Sequence, residues 1–191
     1  MSVTIQTLDS SSLPAGLTTI ASGSCATGSP TVIDITSIPA TYRAIILYVS
    51  GASNSVATRG LRVSVDTGLG LGNAGNVSGY TQIANTTTTS VSNAASLWTD
   101  ITHAAALVDS CWIQFPAYQS GPIKTYNGFL SAQATAGSEW AWAGAGSVFV
   151  AGFLSNASVA RTGAIVGIRL TWDNVATGVF DAGTYAVYGV Q

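Results

Sequence analysis

Val166-Gly-Ile-Arg-Leu-Thr-Trp-Asp173 decides the fold class. Val166, Ile168, Leu170 and Trp172 alternate with Gly167, Arg169, Thr171 and Asp173. Only an extended strand turns such alternation into one apolar and one polar face, because successive side chains point to opposite sides. The same pattern recurs outward from it. Downstream, Tyr185 and Val187 oppose Ala186 and Tyr188 in a last strand from Thr184 to Val190. Upstream, Leu61, Val63 and Val65 alternate with Arg62, Ser64 and Asp66, and Ile33 and Ile35 with Asp34 and Thr36. Ile45, Leu47 and Val49 share a face opposite Ile46 and Tyr48, and Cys111, Ile113 and Phe115 repeat the arrangement until Pro116. Asp100 to Val108 has room for one or two helical turns, and no stretch supports a long amphipathic helix. Many short strands with Gly, Asn and Ser turns predict an all-β fold, a single jelly-roll-like β-sandwich over residues 30–191. Residues 1–29, rich in Ser, Thr, Gly and Ala and without a core-forming period, are expected to be an extended N-terminal arm or an edge segment.

The composition bounds the function. The chain has 191 residues, of which 47% are hydrophobic and 7% charged, against about 25% charged in an ordinary soluble domain. Mean hydropathy is +0.40, yet the longest weakly polar run, Ala143 to Phe153, is far short of a membrane-spanning helix and is broken by Gly and Ser. Met1-Ser-Val-Thr-Ile5 lacks a basic region followed by an apolar one, so no signal peptide and no membrane insertion are expected. Nucleic acid is not expected as a partner either: Lys124 is the only lysine and the isoelectric point is near 4.9. Charge is depleted where surfaces are covered by other subunits, because desolvating it is costly. The chain is therefore expected to be a homo-oligomer or a lattice component.

The motifs that carry chemistry elsewhere have simpler readings here. Gly70-Leu-Gly72-Asn-Ala-Gly75 has the letters of a dinucleotide fingerprint, but a turn follows where that site needs a helix N-terminus. Asp66-Thr67-Gly68 spells an aspartic-protease motif, and a β-turn beginning on Asp explains it. His103 is the only histidine and Glu139 the only glutamate, with no nucleophile elbow alongside. Asp173, Asn174 and Asp181 read as turn residues that need no calcium. Asn76, Asn85 and Asn156 open glycosylation sequons of the kind a chain so rich in Asn, Ser and Thr contains by chance. No catalytic residue, cofactor or metal site is predicted, and the chain reads as non-enzymatic. Cys25 and Cys111 are expected to be buried free thiols, with a single internal disulfide as the alternative.

The tryptophans are the strongest candidates for contact. Trp172 sits on the apolar face of its strand and is expected in the core. Trp140 and Trp142 share one face of a candidate strand, followed by Ala-Gly-Ala-Gly. Core filling, a subunit interface and a sugar-stacking platform are all open for this pair.

Ile38-Pro-Ala-Thr-Tyr-Arg-Ala-Ile-Ile-Leu-Tyr-Val-Ser-Gly51 resembles a segment of small structural proteins of tailed bacteriophages, where a Pro-containing turn leads into an apolar strand ending in Ser-Gly. Ala164 to Trp172 followed by Gly178 to Val190 is similar to the ending of that group, an aromatic-Gly-hydrophobic strand. These are packing motifs, and no functional residue carries over from them. The resemblance implies a virion surface protein, made in the host cytoplasm. A capsid decoration or cement protein, bound to itself and to capsid or other virion proteins, is the reading that suits a chain without a repetitive shaft. The alternative is a tail-tip or tail-fibre module that binds a receptor or a host surface glycan.

Overall fold

The computed structural model describes residues 16–55, 60–68, 70–71, 79–84, 87–92, 108–116, 118–119, 124–132, 147–154, 163–172 and 178–191. These are all-β, with no helix among them and every strand pairing antiparallel. Eleven strands follow one another: β1 (Leu17–Ser24), β2 (Val32–Ile35), β3 (Ala44–Asn54), β4 (Leu61–Asp66), β5 (Gly79–Ala84), β6 (Thr87–Ser92), β7 (Asp109–Phe115), β8 (Lys124–Ala132), β9 (Ser147–Leu154), β10 (Gly167–Trp172) and β11 (Phe180–Val190). They form two sheets, an eight-stranded one of order β1-β11-β3-β7-β8-β9-β5-β6 and a three-stranded one of order β2-β10-β4. A jelly roll divides its eight strands between two sheets; here the division is eight and three.

The predicted apolar faces meet in one core. In the small sheet Leu170 lies between Ile33 and Val63, and Ile168 between Ile35 and Val65, all buried. From the large sheet come Val187, Leu47 and Ile113, which are register partners in turn and fully buried. Trp172 is fully buried against Phe180, with ring centroids 4.8 Å apart. Val166 departs from the expected face. It precedes the strand and is exposed, while its neighbour Ile165 turns inward and bonds its N–H to the Tyr118 carbonyl.

Residues 17–24, which the sequence places within the arm or edge segment 1–29, form β1 and pair with β11 from Leu17↔Val190 to Ser24↔Thr184. The backbone N–H of Cys25 continues this lacing onto the Gly183 carbonyl, and that of Gln191 onto Gly16. Residues 1–15 lie outside the described part. A second bulged pairing joins β11 to β3, with register shifts around Ala182. Gly183 makes it: its φ is +99°, and a Cβ there would come within 2.6 Å of the Ala52 backbone. Only glycine meets both demands.

The turn before β3 is held by two neighbouring side chains, Gln119, which donates its amide to the Tyr42 carbonyl, and Tyr118. Fully buried Tyr118 donates its hydroxyl to the Pro39 carbonyl and accepts the Tyr42 N–H at 3.1 Å. Tyr42 in turn lies over Gly189, where a Cβ would be 2.4 Å from the ring. The Pro39 turn, β3 and β11 are thereby one packed unit.

Candidate functional site

The two sheets differ sharply in where they carry charge. On the outer face of the small sheet, Arg169 makes a two-pronged ion pair with Asp34 at 2.6 and 2.7 Å, beside Arg62 and Asp66 at the outward register positions. In the eight strands of the large sheet the only charged residues are Asp109, Lys124 and Asp181. Each is the first or second residue of its strand, so the middle of that sheet is uncharged on both faces.

Asp109 is fully buried, and its Oδ2 accepts the Leu61 N–H at 3.3 Å, tying β7 to β4. Asp181 accepts a hydrogen bond from the Ser53 hydroxyl and so ties β11 to β3. Both carboxylates thus hold the two sheets and their strands in place. Asp66 holds its own turn: Oδ1 accepts the N–H of Gly68 at 2.7 Å and of Gly70 at 2.9 Å. That geometry is the side-chain-capped turn expected from Asp66-Thr67-Gly68. Of the Gly70–Gly75 stretch, the described residues are Gly70 and Leu71.

Among the described residues no three His, Cys, Asp or Glu side chains gather as metal ligands, and no helix is long and apolar enough to cross a membrane. Cys25 and Cys111 are both free and buried. Burial pushes the Cys25 thiol up to about 11. It raises Cys111 further, with the negative charges of Asp109 and a Cys25 thiolate acting in the same direction. Nucleophilic thiols have lowered values, so neither cysteine is poised for attack at neutral pH.

Trp140 and Trp142 lie outside the described residues, as do Trp98, His103, Glu139, Asp173 and Asn174. The aromatic surface that is described lies elsewhere. Tyr48 on β3 and Trp112 on β7 are direct cross-strand partners on the face of the large sheet away from the core. They are 45% and 38% exposed, the two most exposed large hydrophobic side chains among the described residues. Tyr48 was legible as facing away from Ile45, Leu47 and Val49. Trp112 stands on the polar face between Cys111 and Ile113, a place where an indole gains little from the core. No protein-family model, no curated protein and no solved structure matches the chain.

Proposed function

We propose that this chain is a non-enzymatic structural protein of a tailed-bacteriophage particle, a capsid decoration or cement subunit that assembles as a homo-oligomer on the head surface. The observation that carries the reading is the large sheet itself. Its strands are uncharged except at their ends, and its outer face presents Tyr48 and Trp112 side by side to solvent. Such a face suits contact with protein, because interface centres are rich in Tyr and Trp and poor in charge. The 7% charge of the whole chain points the same way. A link to phage proteins comes from the resembling stretches, Ile38–Gly51 and Ala164–Trp172 followed by Gly178–Val190, of which the first and last lie side by side as the Pro39 turn and the β3–β11 pair.

Electron microscopy and mass spectrometry of the intact particle test the reading. The expected result is density for a two-sheet domain on the head exterior, in many copies. Absence of the chain from purified particles would overturn it. The second reading, a tail-tip or fibre module for a host glycan, is favoured by the exposed indole of Trp112, since sugar rings stack on such faces. Density at the tail tip, with Trp112 fluorescence shifting on addition of host glycan, would select it.

A further inference from the structure

The strand registers align the outward positions of the large sheet into one continuous row. Ala186 pairs with Tyr48, Tyr48 with Trp112, Trp112 with Phe129, Phe129 with Phe149, and Phe149 with Ile83. Six neighbouring strands, from β11 to β5, each place an apolar or aromatic residue at the same level; Tyr48 and Trp112 are exposed and Ala186, at the β11 end, is buried. Of the adjoining levels on that side, one holds Ser110 and Ser131, and the other runs Tyr188, Ile46, Gln114 and Asn127. No charged residue stands at any of these positions. A sheet face left to water normally alternates apolar-in with polar-out and blunts itself with charge. This one carries no charge, and an apolar row crosses it.

We propose that this face is the self-association surface, on which a second copy of the chain packs sheet to sheet across the Ala186-to-Ile83 row. The inference rests on the reading of the protein as an assembling subunit and names the surface that reading requires. Extent favours a second copy over a small ligand. Eight strands at ~4.8 Å spacing and about six residues at ~3.3 Å rise give a face of roughly 700 Å², close to the ~800 Å² per partner of a stable protein interface. A sugar would cover a fraction of it. Symmetry favours it too: a two-fold axis makes one patch complementary to itself. The levels flanking the row carry no charge to hold two sheets away from the ~10 Å spacing of packed β layers.

Sedimentation velocity over a concentration series, on the full chain, tests the proposal. The wild type should associate. Trp112→Lys and Tyr48→Lys, which place a charge in the centre of the face, should each raise the dimer Kd by at least about 30-fold, the hot-spot threshold of ~2 kcal/mol. Val166→Lys, at an equally exposed apolar residue off this sheet, should leave Kd unchanged. Gln114→Arg adds charge beside the row while keeping every aromatic, so it reads the surface even if the row variants fold poorly, as judged by circular dichroism. An associating wild type that all three sheet-face variants leave intact would overturn the surface and leave the structural reading standing. A wild type that stays monomeric, yet is found in particles, would overturn self-association through this face. Absence from particles as well would remove the structural reading with it.

Discussion

Leu170→Ala tests the packing of the two sheets most directly. Leu170 is fully buried on the central strand of the small sheet, flanked in register by Ile33 and Val63 and pointing at the large sheet's core face. The change deletes three carbons, worth about 2.4 kcal/mol at ~0.8 kcal/mol per buried CH₂. Both flanking residues belong to paired strands that cannot collapse independently, so the cavity adds roughly another 1–2 kcal/mol. The expected cost is about 3–4 kcal/mol, which for a chain of this length lowers Tm by roughly 6–16 °C. Equilibrium urea unfolding followed by tryptophan fluorescence measures it, at one fixed protein concentration because association shifts apparent stability. Arg169→Ala is the internal reference. Its guanidinium pairs with Asp34 on the solvent side of the same strand, with side chains 27% and 38% exposed, and exposed pairs contribute about 0–1 kcal/mol. A Leu170→Ala cost below about 1 kcal/mol, or one no larger than that of Arg169→Ala, would refute the claim that the small sheet closes the core through this face.

Removing residues 1–24 should destabilise the domain, because it strips β1 from β11 and exposes both β11 and the core contacts of Ile20 and Ala21. Ile20 alone contributes about 1–3 kcal/mol; a truncated protein with unchanged Tm would contradict the pairing. Gly128→Ala should cost about 1–3 kcal/mol by forced overpacking, since a Cβ there would sit 2.4 Å from the Trp112 carbonyl oxygen and 3.0 Å from the Ile113 backbone. A neutral result in thermal unfolding would mean that β7 and β8 are set further apart. Cys25 and Cys111 should resist iodoacetamide at pH 8 in the native state and react on unfolding, as mass spectrometry will read. Both folded values lie above the ordinary 9.0, so the stabilisation from keeping the thiols neutral is whole below pH ~9. It is lost as pH rises through the Cys25 value of about 11, and stability that failed to decline across pH 9–11 would count against the burial.

Local alternation was enough to read the all-β class and most inward faces. Ile168, Leu170 and Trp172, like Ile45, Leu47 and Val49, lie buried where the period of two put them, because face is a property of a single extended strand. β1 escaped that logic for a definite reason. Its register with β11 shifts between Thr19 and Ala21, and Ile20 and Ala21 both pack against the core, so the bulge erases the alternation that would have announced a strand. Trp140 and Trp142 stand out by sharing one face of a candidate strand, whereas Trp112 acquired meaning only from its partners. The aligned row depends on which strand lies beside which and at what offset, and those are settled by hydrogen bonds between residues as distant as Tyr48 and Ala186. The eight-and-three division of the strands and the burial of Asp109 against the Leu61 amide are decided in the same way. The sequence by itself determined which face of each regular strand is apolar; the tertiary structure decided which faces meet in the core and which one aligns Tyr48 with Trp112 in an uncharged row. Pairing and register are choices among distant backbones, and no local period encodes them.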